Sequence, residues 1–197
     1  MATNLRTLGL LALLAHGPFA SAADQNGLFA IRGAGLLTCL TYVQEREAAS
    51  DAYVMIGGWL DGYVTAINEL SLETFDVTPY VSTELLTALI DRHCKDNPGD
   101  ILFAVTNTLL AKLFDERLKS SSVYVDVRIS LEQMRLYTDT IERIQTSLAA
   151  KGLLYIEATG QWNLATQNAL ARYQESIGMN GSGFPDQATL WSLLRSG

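Results

Sequence analysis

Residues 158–179 read ATGQWNLATQNALARYQESIGM, a turn followed by an amphipathic helix. Gly160 suits a tight turn, and Asn163 stands where the N-cap of a helix is expected. Beyond it, apolar residues recur three or four positions apart, as they do on one face of a helix, until Gly178 ends the pattern. That face consists of Ala169, Leu170, Tyr173 and Ile177. The stretch therefore predicts a capped helix that buries one side.

A further helix is predicted on each side of this one. The preceding helix is expected to begin with a capping box at Ser130 and Gln133 and to stop at Gly152. Its apolar face comprises Met134, Tyr137, Ile141, Ile144 and Leu148. The following helix is expected to begin near Asp186 and to turn Leu190, Leu193 and Leu194 inward. Residues 130–197 are therefore predicted to form a three-helix unit.

The first two of these helices share an internal echo. Residues 143–152, RIQTSLAAKG, and residues 172–181, RYQESIGMNG, carry Arg, Gln, Ser and Gly at the same offsets. A repeated pattern of this kind predicts a duplicated helix-plus-turn element.

The whole arrangement closely resembles the three-helix peptidoglycan-binding domain that is commonly appended to cell-wall hydrolases. The shared pattern is a Gln-x-x-Leu helix ending in Gly, a Gly-x-aromatic turn, a Thr-x-x-Ala helix with an aromatic-Gln pair, and a final Pro-x-x-x-Thr-Leu. The matching residues in chain order are Gln145, Leu148, Gly152, Gly160, Trp162, Thr166, Ala169, Tyr173, Gln174, Gly178, Pro185, Thr189 and Leu190. The family usually has Asp-Gly at both turns, whereas this chain has Thr159-Gly160 and the sequence NGSGFPD at 180–186.

The resemblance implies that peptidoglycan is a partner of the C-terminal unit. The candidate contact residues are Thr159, Gln161, Trp162, Gln167, Tyr173 and Gln174. Their side chains offer hydrogen bonds to sugar amides and stem peptides, or aromatic faces to sugar rings. Trp162 has a second interpretation, because an aromatic side chain on a short turn that enters a helix is more often part of a core.

Residues 23–119 are predicted to form a separate helical unit of four helices. Asn97 as cap and Pro98 at the first helical position predict the start of the fourth helix, which carries Ile101, Val105, Leu109 and Leu113 on one face. Residues 120–129 form the linker, in which Val123, Val125, Val127 and Ile129 alternate with polar residues, as in a half-buried strand. The predicted fold class is therefore mainly α, with two small helical domains joined by a short strand-like linker.

The two cysteines, Cys39 and Cys94, are predicted to form a disulfide that clamps the first unit. Closing a loop of 55 residues would stabilise the fold by about 4 kcal/mol on the chain-entropy model. A catalytic thiol or a metal ligand is the competing interpretation. It is disfavoured because His93 is the one histidine outside the N-terminal segment and no Cys-x-x-Cys spacing occurs. His93 itself is expected to complement the dipole at a helix end.

The order of features over residues 33–118 resembles small disulfide-clamped helical periplasmic proteins, of the acid-stress chaperone type or of the immunity-protein type. The segments that carry this resemblance are WLDGYVTAIN, DVTP, DRHC and NPGDILFAVTNTLLAKL. The resemblance implies a non-enzymatic unit that works through a protein–protein surface.

Residues 1–22 are predicted to be a cleaved signal peptide. Arg6 precedes the short apolar run LGLLALLA, and Ala20-Ser21-Ala22 has the small-residue pattern of a cleavage site. The run is shorter than the roughly 20 residues of a membrane span. The expected location is therefore the periplasm or the outside of the cell, with no membrane span after cleavage.

Charge limits the partners of the chain. Residues 23–129 carry 15 acidic and 8 basic side chains, a net charge of −7, whereas residues 130–197 carry 6 and 5. An acidic chain without a basic patch is not expected to bind nucleic acid.

We predict no catalytic residues, no metal site and no cofactor, because the carboxylates are scattered and the histidines and free thiols of wall hydrolases are missing. The predicted function is an exported, non-catalytic protein that binds peptidoglycan and presents its helical unit to a protein partner. The alternatives are an immunity-type inhibitor or periplasmic chaperone held at the wall, and a cell-wall hydrolase.

Overall fold

The computed structural model describes residues 24–195, so the predicted signal segment lies outside the described residues. Backbone contacts separate the segment before Arg32 from one compact unit that begins at Arg32. In the first segment the Asp24 carboxylate accepts hydrogen bonds from the backbone N–H groups of Asn26 and Leu28, both at 2.8 Å.

Four helices form the first part of the compact unit. After a 3₁₀ turn at Gly33–Leu36, the helices are α1 (Cys39–Glu47), α2 (Asp51–Leu70), α3 (Thr83–Asp96) and α4 (Leu102–Leu113). The first three begin with Thr38, Ser50 and Ser82, whose side chains accept a backbone hydrogen bond from the first turn. Tyr42, Ile56, Leu60 and Ile90 are among the buried residues of the core.

The predicted disulfide is confirmed. Cys39 at the start of α1 is bonded to Cys94 near the end of α3, and both side chains are buried. Beside it, the Tyr42 hydroxyl donates to the carbonyl oxygen of Thr87 at 2.7 Å, and burial raises the pKa of Tyr42 to about 12. His93 lies in the last turn of α3, where its Nε2 is 2.8 Å from Asp100 Oδ2.

The predicted start of α4 at Asn97 and Pro98 is wrong. Asn97 instead closes α3, since its backbone N–H donates to the carbonyl oxygen of His93. The next residues are held by long-range contacts: Cys39 N–H donates to Asp100 O at 2.8 Å, and Thr38 forms an antiparallel bridge with Ile101. These contacts occupy the backbone groups that an earlier helical turn would need, so α4 begins only at Leu102.

A β-hairpin replaces the predicted capping box at Ser130 and Gln133. The strand predicted in the linker is present as β1 (Tyr124–Ile129), and it pairs antiparallel with β2 (Glu132–Tyr137). Ser130 lies in the turn with φ = 56°, and Gln133 faces Arg128 across the hairpin. Pairing gives the lone strand a hydrogen-bonded partner and buries Val127 and Leu136 on one face.

The C-terminal part contains the three expected helices. They are α5 (Thr138–Ala150), α6 (Leu164–Ser176) and α7 (Gln187–Arg195). Gly152, with φ = 71°, and Gly178, with φ = 78°, follow the ends of α5 and α6 as predicted. The shared core is formed by Ile141, Ile144, Leu148, Ala169, Leu170, Leu190 and Leu193. The prediction of a mainly α fold is confirmed.

Half-buried and exposed polar contacts join the two helical parts within the compact unit. The Glu116 carboxylate accepts from Arg195 Nη1 at 2.6 Å and from the Tyr80 hydroxyl, and Arg143 Nη1 donates to the Glu116 carbonyl oxygen at 2.8 Å. Nearby, Gln187 Oε1 accepts from the backbone N–H of Ser82 at 2.8 Å. The three-helix part therefore contacts the first part through charged groups as well as through its hairpin.

Among the residues that the structure describes, no helix combines the length and the apolar composition that crossing a membrane requires.

Candidate functional site

A fully buried glutamine holds the loop between α5 and α6, residues 151–163. Gln145 Oε1 accepts from the backbone N–H groups of Thr159 and Gly160, at 2.8 and 3.0 Å. Its Nε2 donates to the carbonyl oxygen of Gln161 at 2.9 Å and to Thr166 Oγ1 at 3.0 Å. One side chain on α5 thus satisfies four polar groups of the loop and of α6, and it fixes the path of the chain between them.

A second buried glutamine repeats this arrangement one helix later. Gln174 Oε1 accepts from the backbone N–H of Gly183 at 2.8 Å. Its Nε2 donates to the carbonyl oxygen of Phe184 at 2.8 Å and to Thr189 Oγ1 at 3.0 Å. The internal echo in the sequence therefore corresponds to a duplicated structural element: helix, buried glutamine, turn and capped helix.

Each element ends in the same kind of cap. Asn163 Oδ1 accepts from the backbone N–H of Thr166 at 2.9 Å, and Asp186 Oδ1 accepts from that of Thr189 at 2.8 Å. The turns also need glycine. A Cβ on Gly160, which has φ = 70°, would lie 2.8 Å from the carbonyl oxygen of Thr138, so no larger residue fits without a backbone shift.

The six predicted contact residues divide by exposure. Thr159 and Gln161 are exposed on the α5–α6 loop, while Trp162 and Gln167 are half-buried. Tyr173 and Gln174 are buried, the first with its hydroxyl 2.9 Å from Ser192 Oγ and the second in the arrangement described above. Thr159 and Gln161 are therefore both accessible to a ligand, whereas Tyr173 and Gln174 make hydrogen bonds within the fold.

Trp162 lies against the hydrophobic core, as its second interpretation proposed. Its Nε1 is buried and makes no hydrogen bond with the residues that the structure describes. Gln167 contacts the second turn, because a Cβ on Gly183 would come within 2.7 Å of Gln167 Cγ.

Sequence reasoning missed an exposed aromatic side chain on the same loop. Tyr155 is 87% exposed, and its hydroxyl donates to the carbonyl oxygen of Gly152 at 2.6 Å. Arg172 Nη2 donates to the carbonyl oxygen of Leu153 at 2.6 Å, and Lys151 Nζ lies 5.8 Å from the centre of the Tyr173 ring. Arg172 thus contacts the start of the loop, which also carries Lys151 and the exposed ring of Tyr155. The sequence gives no signal for this exposure, because Tyr155 directly follows apolar residues, one of which, Leu154, is buried.

The described part of the chain holds no cluster of three or more His, Cys, Asp or Glu side chains able to bind a metal ion. Two ionisable groups of the C-terminal part hold the backbone: Asp186 accepts from Thr189 N–H, and Arg143 donates to the carbonyl oxygen of Glu116.

Comparison with known families gives one match, in the C-terminal region. Residues 138–193 match the family model described as "Putative peptidoglycan binding domain". The match begins at the first residue of α5 and ends within α7, so it contains both glutamine arrangements and the α5–α6 loop. The resemblance noted in the sequence is thereby confirmed for the C-terminal region. No curated protein and no solved structure matches the chain.

Proposed function

We propose that this protein binds cell-wall peptidoglycan through its three-helix C-terminal region. The observation that carries the proposal is the family match over residues 138–193. The intact turns support it, since both buried glutamines and both helix caps hold the loops that the family pattern requires. The departures from Asp-Gly at the two turns leave this framework unchanged.

The α5–α6 loop is the proposed contact surface. Thr159 and Gln161 offer hydrogen-bonding groups to sugar hydroxyls and amides, and the open ring of Tyr155 offers an apolar face to a sugar ring. Lys151 and Arg172 place positive charge where a stem-peptide carboxylate can bind. Exposed hydrogen bonds of this kind contribute about 1 kcal/mol each, so the affinity is weak and depends on several contacts.

Truncating this surface tests the proposal. We expect the double variant Tyr155→Ala and Gln161→Ala of the full chain to bind purified sacculi about tenfold more weakly, because it loses a ring contact and a hydrogen bond. Co-sedimentation at a series of sacculus concentrations measures the change. Leu131→Ala is the matched control, since it truncates a fully exposed apolar side chain in the hairpin turn. Equal weakening by the control, or none by the double variant, would place the contact surface elsewhere.

The proposed role is non-catalytic. The scarcity of histidine and the pairing of both cysteines in a disulfide support this, because wall hydrolases commonly use a metal or a thiolate. The same sedimentation assay provides the check: the supernatant should contain no more soluble wall fragments than buffer alone releases. Release that a single carboxylate-to-amide change abolishes would support a hydrolase instead.

Export and a protein partner complete the proposal. Support for export comes from the signal-like sequence and from the disulfide, which oxidising compartments favour. Support for a partner comes from the outer face of α2, where Val54 and Met55 are 70% and 74% exposed. Along that face a Cβ on Gly58 or Gly62 would meet no atom within 4 Å, so a partner could approach the backbone closely.

Cross-linking in intact cells tests both export and a protein partner on α2. A photo-reactive residue at position 55 should give one discrete cross-linked product, whereas one at the exposed Thr108 of α4 should not. Mass spectrometry of the product should find a chain that begins at or near Ala23. A chain that retains Met1 contradicts export, and the same pattern from both positions contradicts a partner on α2.

A further inference from the structure

A second concave surface lies outside the loop described above. It is a cleft of about 280 Å³ between residues 76–82, the β1–β2 hairpin and the first residue of α7. Most of its lining precedes residue 138, so it lies largely outside the family match. Clefts at the junction of structural parts are common places for small ligands, and this volume is near the lower limit of roughly 300 Å³ for such sites. A cleft of this volume suits a ligand that inserts a single ring.

A chain of hydroxyl groups forms one wall of the cleft. The Tyr124 hydroxyl donates to the Tyr137 hydroxyl at 2.5 Å, and that hydroxyl donates to Asp76 Oδ2 at 3.1 Å. Burial, together with the hydrogen bond from Tyr124 and the negative charge of Asp76, raises the pKa of Tyr137, so this phenol keeps its proton. Since its own proton is used, Tyr124 Oη faces a ligand as an acceptor.

Two residues with hydrogen-bond donors, Gln187 and Arg135, also line the cleft. Gln187 Oε1 accepts from the backbone N–H of Ser82, and this bond orients the amide. With Oε1 engaged in this way, Gln187 offers the N–H groups of its Nε2 to a ligand. The guanidinium of Arg135 lies 4.7 Å from the centre of the Tyr124 ring and 3.5 Å from Asp126 Oδ1.

We propose that this cleft binds one acetamido sugar of a glycan strand, with Gln187 and Arg135 donating to its acetamido carbonyl and Tyr124 accepting from a ring hydroxyl. The inference rests on the proposed function and adds a second, glycan-specific contact to the loop surface. Asp76 and Asp126 offset the charge of Arg135, so the cleft favours a neutral sugar. A stem-peptide carboxylate would lie beside Asp76 and be repelled.

Titration of the full chain with tetra-N-acetylchitotetraose, which contains acetamido sugars and no peptide, tests the inference. The variant Gln187→Glu keeps the oxygen that accepts from Ser82 N–H but replaces the Nε2 donor with an acceptor. Tyr124→Phe keeps the ring and removes the acceptor. Each should weaken binding about fivefold or more, the value of one hydrogen bond. Arg128→Ala is the control, because Arg128 lies on the same face of the hairpin but outside the cleft.

The results separate this inference from the proposed function. Sedimentation of the wild-type chain with sacculi, without binding of the oligosaccharide, would overturn the cleft and leave the loop surface standing. Oligosaccharide binding that neither variant weakens would likewise overturn it. A wild-type chain that binds neither sacculi nor the oligosaccharide would contradict both the cleft and the proposed function.

Discussion

Replacing Gln145 with alanine is expected to lower the free energy of unfolding by about 3 kcal/mol. The change removes four hydrogen bonds at once and takes the acceptor from the buried Gly160 N–H and from the Thr159 N–H, while the Thr166 hydroxyl keeps its bond to Asn163. Buried polar groups that lose their partner cost about 1 to 3 kcal/mol each, and the lost side-chain volume adds a cavity. Chemical denaturation monitored by the helical circular dichroism signal measures the difference.

Gln161→Ala is the matched control for this prediction. It removes the same type of side chain, here from the loop that Gln145 holds, but Gln161 is exposed and its carbonyl oxygen still accepts from Gln145. Its effect should stay within about 0.5 kcal/mol. If the two variants unfold at the same denaturant concentration, the buried glutamine does not hold the loop as described.

Removing the disulfide is expected to lower the free energy of unfolding by about 4 kcal/mol. The bond closes a loop with a sequence separation of 55 residues, and its loss returns the corresponding chain entropy to the unfolded state. The double variant Cys39→Ala and Cys94→Ala should therefore unfold at a clearly lower temperature than the oxidised wild-type protein.

Reductant supplies the control for this comparison. It should lower the stability of the wild-type protein towards that of the double variant and leave the variant itself unchanged, since the chain has no other cysteine. Two thiols that alkylate freely in the native, unreduced protein would contradict the bond.

Local chemistry explains what the sequence predicts well. Asn163 was recognisable as a cap, Asp186 as the approximate start of a helix, and Gly152 and Gly178 as helix ends, because each acts on backbone groups within a few residues. The Cys39–Cys94 pair was predictable since no other cysteine competes.

Long-range contacts explain the errors. Met134 and Tyr137, three positions apart, fit one face of a helix, and the pairing of Leu136 with Val125 shows that the segment is instead a strand. Asn97 and Pro98 form a good local start signal, yet the bridge between Thr38 and Ile101 delays the helix.

The same limit applies to the candidate site. The glutamines of the echo were visible in sequence, but the backbone groups that Gln145 holds lie 14 to 16 residues away along the chain. Gln174 and Gln161 have the same side chain, but the fold buries Gln174 and exposes Gln161, a difference that the sequence does not reveal. The exposure of Tyr155 follows from the path that the loop takes over Gly152 and Leu153, which no local pattern specifies.

Co-sedimentation of the oxidised full chain with purified sacculi tests most directly whether the C-terminal region binds peptidoglycan. We expect saturable sedimentation that changes little with salt, because the C-terminal region carries nearly equal numbers of acidic and basic side chains. A folded wild-type chain that stays in the supernatant at every sacculus concentration would contradict peptidoglycan binding.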